Sequence, residues 1–304
     1  MTTSFTYPAG PPTYSGDSVT ANRFLQSPAL VAKRIDEIAN QRFISDVLLT
    51  KRVEASGGAI AFSSLEPLYA DRAPESISPG AEYPLTGISN GVLQNVAVVK
   101  WGQDAEITDE AIKRSAMNSV EEAFKKLVNS AVKQMDATAL SLIASAVTAT
   151  QQASAAWTDD ANAKILRDIM LAKAKITALN MGYEPNVLVV DDATHAILAS
   201  DSKLTQTMAR EDNGNTVYTG SFLTIAGLTL LPTNNLPAPG AWLLDTNALG
   251  GIGKETLGQG YTGDVVETKT IREELNDRYR IRARRNVVPF VAEPGAGIKI
   301  ITTV

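Results

Sequence analysis

"SAMNSVEEAFKKLVNSAVKQMDATALSLIAS", residues 115–145, is the stretch that decides the fold of this chain. Neither proline nor glycine occurs between Thr108 and Thr150. Ile112, Val120, Phe124, Leu127, Val128, Ala131 and Met135 recur at helical spacing, while Lys113, Arg114, Glu121, Lys125, Lys126 and Lys133 fall mostly elsewhere. Thr108 suits an N-cap, and Asp109 and Glu110 suit the positive end of the helix dipole. The pattern predicts a helix over about 108–148, ~60 Å long at ~1.5 Å per residue. Average helices run ~11–12 residues, so this one needs a reason. A coiled coil would supply one, but the stripe does not keep a strict a/d heptad.

Upstream of the helix the character changes. "GGAIAFSS" and "GVLQNVAVVKW" are β-rich and bracket a stretch holding Pro67, Pro74, Pro79 and Pro84. This predicts two strands joined by a long, proline-stiffened excursion, an unusual connection that tends to be functional. The excursion carries Leu65, Leu68, Tyr69, Ile77, Tyr83 and Leu85. A solvated loop has little use for them, so they are expected to pack against another subunit. Before it, "PALVAKRIDEIANQRF" predicts a short helix opened by Pro28, with Leu30, Val31, Ile35 and Ile38 on one face. Residues 1–28, broken by Pro8, Pro11 and Pro12, read as an extended arm.

Downstream the pattern alternates. "DDANAKILRDIMLAKAKITAL" predicts a helix with Asp159 or Asp160 near its cap, "PNVLVVDD" a buried strand and "ATHAILAS" a short helix. "EDNGNTVYTG" predicts a hairpin-type turn, and "GLTLLPTNNLPAPGAWLLD" two further strands. The remainder, through "IKIITT", reads as long strands.

The totals exclude several chemistries. A formal net charge of −5 argues against wrapping nucleic acid by bulk charge. With no cysteine there is no disulfide, thiolate metal site or cysteine nucleophile. No apolar run approaches the ~20 residues of a membrane span, and the N-terminus lacks a signal-peptide pattern, so a soluble protein made in a cytoplasm is expected. His195, the single histidine, has Asp191 and Asp192 within a turn but no nucleophile motif beside it. "ALGGIGKET" departs from a phosphate loop at Ala248 and Glu255, and reads as a glycine-rich turn. No catalytic residue, cofactor or metal is expected.

"RYRIRARR" is the one concentrated charge. At strand period Arg278, Arg280, Arg282 and Arg284 share one face, opposite Tyr279, Ile281 and Ala283. Four like charges need neutralising by nucleic-acid phosphate or by carboxylates, from this chain or a neighbouring subunit. Glu273, Glu274 and Asp277 just upstream, with the acidic total, favour carboxylates.

In this order the segments resemble the major capsid proteins of tailed double-stranded DNA bacteriophages, those with the HK97 fold. "ISPGAEYPL" (77–85) is similar to a segment of the family's E-loop. "NVLVVDDATHAILASDSKL" and "IAGLTLLPTNNLPAPGAWLLD" resemble successive parts of its A-domain. "ETKTIREELNDRYRIRARRNVVPFVAEPGAGIKI" resembles its C-terminal passage through the P-domain. The resemblance implies an α+β chain with an N-terminal arm and short helix at 1–52 and an E-loop hairpin at 53–104. The P-domain, with the spine helix, would take 105–156 and 262–292, and the A-domain 157–261 and 293–304.

It further implies a non-enzymatic virion protein that self-assembles through pentamers and hexamers into an icosahedral head around double-stranded DNA, bound without sequence specificity. The loop residues named above and the four arginines are the candidate inter-subunit contacts. Fewer than about fifty residues precede the E-loop, so scaffolding is expected to come from a separate protein or to be dispensable, alongside portal and decoration proteins, with no membrane. Asn276 falls near the family's cross-linking asparagine, yet no lysine lies between Lys51 and Lys100 to react with it. An encapsulin-type compartment shell is the alternative with the same fold, and a soluble enzyme the alternative without it.

Overall fold

The structure is a computed structural model that describes residues 21, 24–39, 43–115, 117–201, 203–204 and 224–302. Most of the expected arm and the turn expected at 211–220 lie outside the described residues. In chain order the helices are α1 (Pro28–Ala39), α2 (Ile44–Leu48), α3 (Asp109–Ser115), α4 (Met117–Ala146), α5 (Ile165–Thr177) and α6 (Asp192–Ser200). The strands before the long helix are β1 (Lys51–Glu54), β2 (Ala59–Ser64), β3 (Val92–Ala97) and β4 (Val99–Thr108). Those after it are β5 (Thr150–Gln152), β6 (Val187–Val190), β7 (Thr224–Ile225), β8 (Leu228–Pro232), β9 (Ala241–Leu244) and β10 (Gly250–Lys254). β11 (Glu267–Glu273), β12 (Arg278–Val291) and β13 (Gly297–Ile301) complete the set.

The chain forms two compact units. Of the described residues, the first holds those within 21–43, 99–135 and 255–287; the second holds those within 44–98, 136–204, 224–254 and 288–302. In the first, β12 is flanked by β4 and β11, both antiparallel to it. Tyr279, Ile281 and Ala283 are buried on one side of β12. Val120, Phe124, Leu127, Val128 and Met135 form the buried stripe of α4, with Ala131 half-buried, while Lys125, Lys126 and Lys133 are exposed. Thr108 Oγ1 accepts from the Ala111 amide, capping α3 as the sequence requires. α1 opens at Pro28 and buries Val31 and Ile35, whereas Leu30 faces outward. The Asp36 carboxylate accepts from the Asp264 and Val266 amides at 2.9 and 3.0 Å, tying α1 to the approach to β11.

The second unit is built on a six-stranded sheet ordered β5-β13-β9-β6-β8-β7. Every residue of β6 is buried, as a continuous apolar run in a central strand demands. α5 begins later than its pattern predicts. Lys164 stands at its N-cap without a side-chain bond, and Asp159 instead accepts from the Ala161 and Asn162 amides in the preceding turn. Asp136 is buried and receives the Ile44 and Ser45 amides at the start of α2. Burial pushes its carboxyl above the usual range despite those bonds.

"ALGGIGKET" is a strand, not a turn. β10 pairs in parallel with β1, and a Cβ on Gly251 would sit 2.2 Å from the Lys51 carbonyl oxygen. At Gly250 it would sit 2.2 Å from the Phe290 carbonyl oxygen, so close backbone approach is what the glycines serve here. The run expected as one strand at 91–101 is divided: β3 pairs with β2, and β4 pairs with β12. At the foot of the β2–β3 hairpin, Ile60, Val288, Phe290 and Ala292 form a buried cluster, with the Phe62 and Phe290 rings 4.5 Å apart.

Candidate functional site

Two places concentrate the side chains that the sequence marks out. The first is the arginine face of β12. Register sets it opposite two lines of acids: Arg282 stands across from Asp104, Arg280 from Glu106, and Arg278 from Glu273. Asp104 accepts from Arg282 Nε and Nη2 at 2.8 and 2.9 Å and also from Arg280 Nε. The Arg282 guanidinium, and Arg280 after it, hold the Asp104 carboxyl below the usual range. Glu273 accepts from Arg278 and Arg280, at 2.7 and 3.1 Å, and is likewise lowered by them. Glu106 takes the remaining arm of Arg278.

Arg284 is set apart by depth. Its side chain and that of Glu267 are about 95% buried, with Nε 2.6 Å from Oε2. The guanidinium also donates to the Gly258 carbonyl and lies 3.5 Å over the Tyr261 ring. Gly102, across the ladder, leaves room for it, since a Cβ there would meet Arg284 Cβ at 3.3 Å. The upstream acids that the sequence offers as partners divide. Glu273 joins the ladder, while Glu274 and Asp277 pair with Arg272, which also grips Asp109. Asp104 and Glu106 carry much of the neutralisation, and the alternation in "KWGQDAEIT" is the signal that could have found them.

The second place is the β2–β3 hairpin and its connection, residues 65–91. Its base is fixed within its own unit. The Leu65 amide donates to the Ala292 carbonyl, and Glu293 accepts from the Glu66 amide and from Tyr183 Oη, each at 2.9 Å. Burial, then the Glu293 bond, pushes the Tyr183 hydroxyl up to about 12. Tyr69 Oη donates to the Asn180 carbonyl at 2.7 Å. Midway, Ser89 donates to Asp71, and the Arg72 amide to Thr86, crossing the two limbs. Along this connection the apolar side chains face outward: Tyr83 is 81% exposed, Leu85 94% and Ile88 85%. Leu65, Leu68 and Tyr69 are also exposed, and Ile77 is half-buried. Ile88, Val92 and Leu93 belong with them, although the sequence reading passed over them.

The remaining residues of interest stand alone. Asp191 caps α6, accepting from the Thr194 amide and hydroxyl, so its carboxylate is committed there and not to His195. Asn276 is exposed in the turn Glu274–Asn276 and donates to Glu273. Among the described residues no group of three or more His, Cys, Asp or Glu could hold a metal ion, and no helix is long and apolar enough to cross a membrane.

A chain that ties down the base of a long apolar loop and leaves its flanks uncovered has the makings of a structural shell subunit. The family model described as phage capsid protein matches residues 92–300, and the chain belongs to that family. Among solved structures it is similar to one from Microbacterium phage Oxtober96, at 13% identity and TM-score 0.60, over 85% of this chain and 90% of that one. A virus-like particle from Pyrococcus furiosus matches at 11% identity and TM-score 0.58, over 89% and 97%. The capsid structure of Cyanophage P-SCSP1u matches at 16% identity and TM-score 0.57, over 83% and 86%. No curated protein matches the sequence. The fold is therefore the HK97-like one, α+β, and the chain is a major capsid protein that assembles with copies of itself into the shell of a phage head. Its place is the virion. The encapsulin alternative is not favoured, because the matching family is that of phage capsids.

Proposed function

We propose that the chain builds an icosahedral head from pentamers and hexamers, enclosing double-stranded DNA held without sequence specificity. In this reading residues 1–52 form the arm and its helix, and 53–104 the E-loop. Residues 105–156 with 262–292 form the P-domain, and 157–261 with 293–304 the A-domain. Synthesis takes place in the host cytoplasm, scaffolding, portal and decoration proteins are separate chains, and the subunit carries out no catalysis. The observation that carries the proposal is the loop at 65–91, which exposes Tyr83, Leu85 and Ile88. Apolar area of this kind contributes about 25 cal/mol per Å² once a neighbour covers it. The arginine face, expected with the loop to form an inter-subunit contact, supports it less, because its guanidinium groups already have carboxylate partners within the chain.

Negative-stain microscopy and sedimentation of the purified protein test this reading. Closed shells, or rings of five and six subunits, are the expected result. A monomer that stays monomeric across concentration and salt contradicts it.

A further inference from the structure

We propose that the outer edge of β4 pairs antiparallel with the same edge of a second copy, centred on Gln103, so that one sheet continues across a two-fold axis. This rests on the reading that copies of this chain build a shell. β4 runs for ten residues, Val99–Thr108, where strands usually have ~5–6, and β12 occupies only one of its sides. Among the described residues no backbone group pairs with the other side. Helix α4 does not close over it: a space of about 250 Å³ opens between Gln103–Glu106 and Ser119, Glu122, Lys126 and Ser130. Val99, Lys100, Gly102, Gln103 and Glu106 are all exposed.

An unpaired edge is a template for another strand, and proteins usually guard it with proline, a bulge or outlying charges. β11, the other flank of β12, is partly closed, since Thr262 and Thr268 exchange backbone bonds at 3.0 and 2.7 Å. β4 lacks such guards. It holds no proline, and its register with β12 runs without a bulge from Thr108 to Val99. Its acids, Asp104 and Glu106, are drawn sideways onto β12 by Arg280, Arg282 and Arg278.

The occupant is a second copy because the strand is complementary to itself. About Gln103, Lys100 stands opposite Glu106, Trp101 opposite Ala105, and Gly102 opposite Asp104. Opposite charges directly across a strand pair stabilise it, and like charges destabilise it. Lys100 lies across from Asn286 on β12 and makes no ion pair among the described residues. Glu106 spends one oxygen on Arg278 and keeps its side chain 66% exposed. Asp104 already serves two arginines and needs only room, which Gly102 gives. Moving the centre one residue on would set Asp104 against its own copy. A patch that meets itself makes an isologous contact of two-fold symmetry. Such a contact joins subunits of neighbouring rings, because the contacts within a ring of five or six run head to tail.

Cysteine cross-linking tests the pairing in a chain that has no cysteine of its own. Opposed residues of an antiparallel pair hold their Cα atoms about 4.5–5.5 Å apart, within reach of a disulfide. Gln103→Cys, assembled and then oxidised, should give covalent dimers. Lys100→Cys alone should give none, because its two copies stand about 20 Å apart along the strands. Mixed preparations of Lys100→Cys and Glu106→Cys should link again. In the Gln103→Cys chain, adding Lys100→Glu should cut the dimer yield at least fivefold, and adding Glu106→Lys as well should restore it. Shells that form with no link at Gln103→Cys and none in the mixed preparation overturn the contact and leave the capsid reading standing. An unsubstituted protein that stays monomeric overturns both.

Discussion

The arginine face of β12 and the loop at 65–91 look alike as sequence, since each carries side chains that cannot be left alone. They part company in the folded chain. Each of the four arginines finds a carboxylate on a neighbouring strand, at 2.9 Å or less in its closest pairing. The loop's apolar groups find nothing comparable: Leu85 remains 94% exposed. A charge is a short-range demand that one well-placed carboxylate can meet. Apolar area needs another surface of similar extent, and a hairpin projecting from its sheet has none on its own chain.

The contrast is broken most forcefully at Arg284. Arg284→Leu leaves Glu267 buried and unpaired, and should destabilise the dissociated subunit by about 3–5 kcal/mol. Urea unfolding reads this as a lowered midpoint. Replacing both partners with apolar residues should recover most of the loss. If the single substitution costs nothing, the ladder does not hold β12 in place.

A smaller effect is expected at Asp104. Asp104→Asn removes charged acceptors from Arg280 and Arg282 and should cost about 1–2 kcal/mol, reduced by partial solvation. Its folded carboxyl is held below the ordinary range, so its contribution is complete above that range and fades as pH falls through the lowered folded value. The variant should therefore show a shallower loss of stability on acidification than the unsubstituted chain. Equal acid slopes would count against the pairing.

The smallest change in subunit stability belongs to the loop. Leu85→Ser should stay within about 0.5 kcal/mol of the parent in unfolding, because nothing in its own chain packs on that side chain. Its effect should appear in sedimentation, as a marked loss of shells. A large loss of subunit stability would mean that the loop is covered within its own chain after all.

Much of this was legible beforehand. The uninterrupted apolar stripe of α4 and the all-apolar run of β6 announce themselves through period alone, and Pro28 marks the start of α1. Other features depend on partners distant in sequence. Asp104 lies more than 170 residues from Arg282, so only the β4–β12 register reveals the pairing. Gly250 and Gly251 read as a turn because nothing local says that carbonyl oxygens from β12 and β1 press against them.

Thiol labelling at Leu85→Cys, in dissociated subunits and in assembled shells, tests most directly whether a neighbour completes this loop. Fast labelling in free subunits and protection of at least tenfold in shells is the predicted result. Equal rates in the two states would contradict the account.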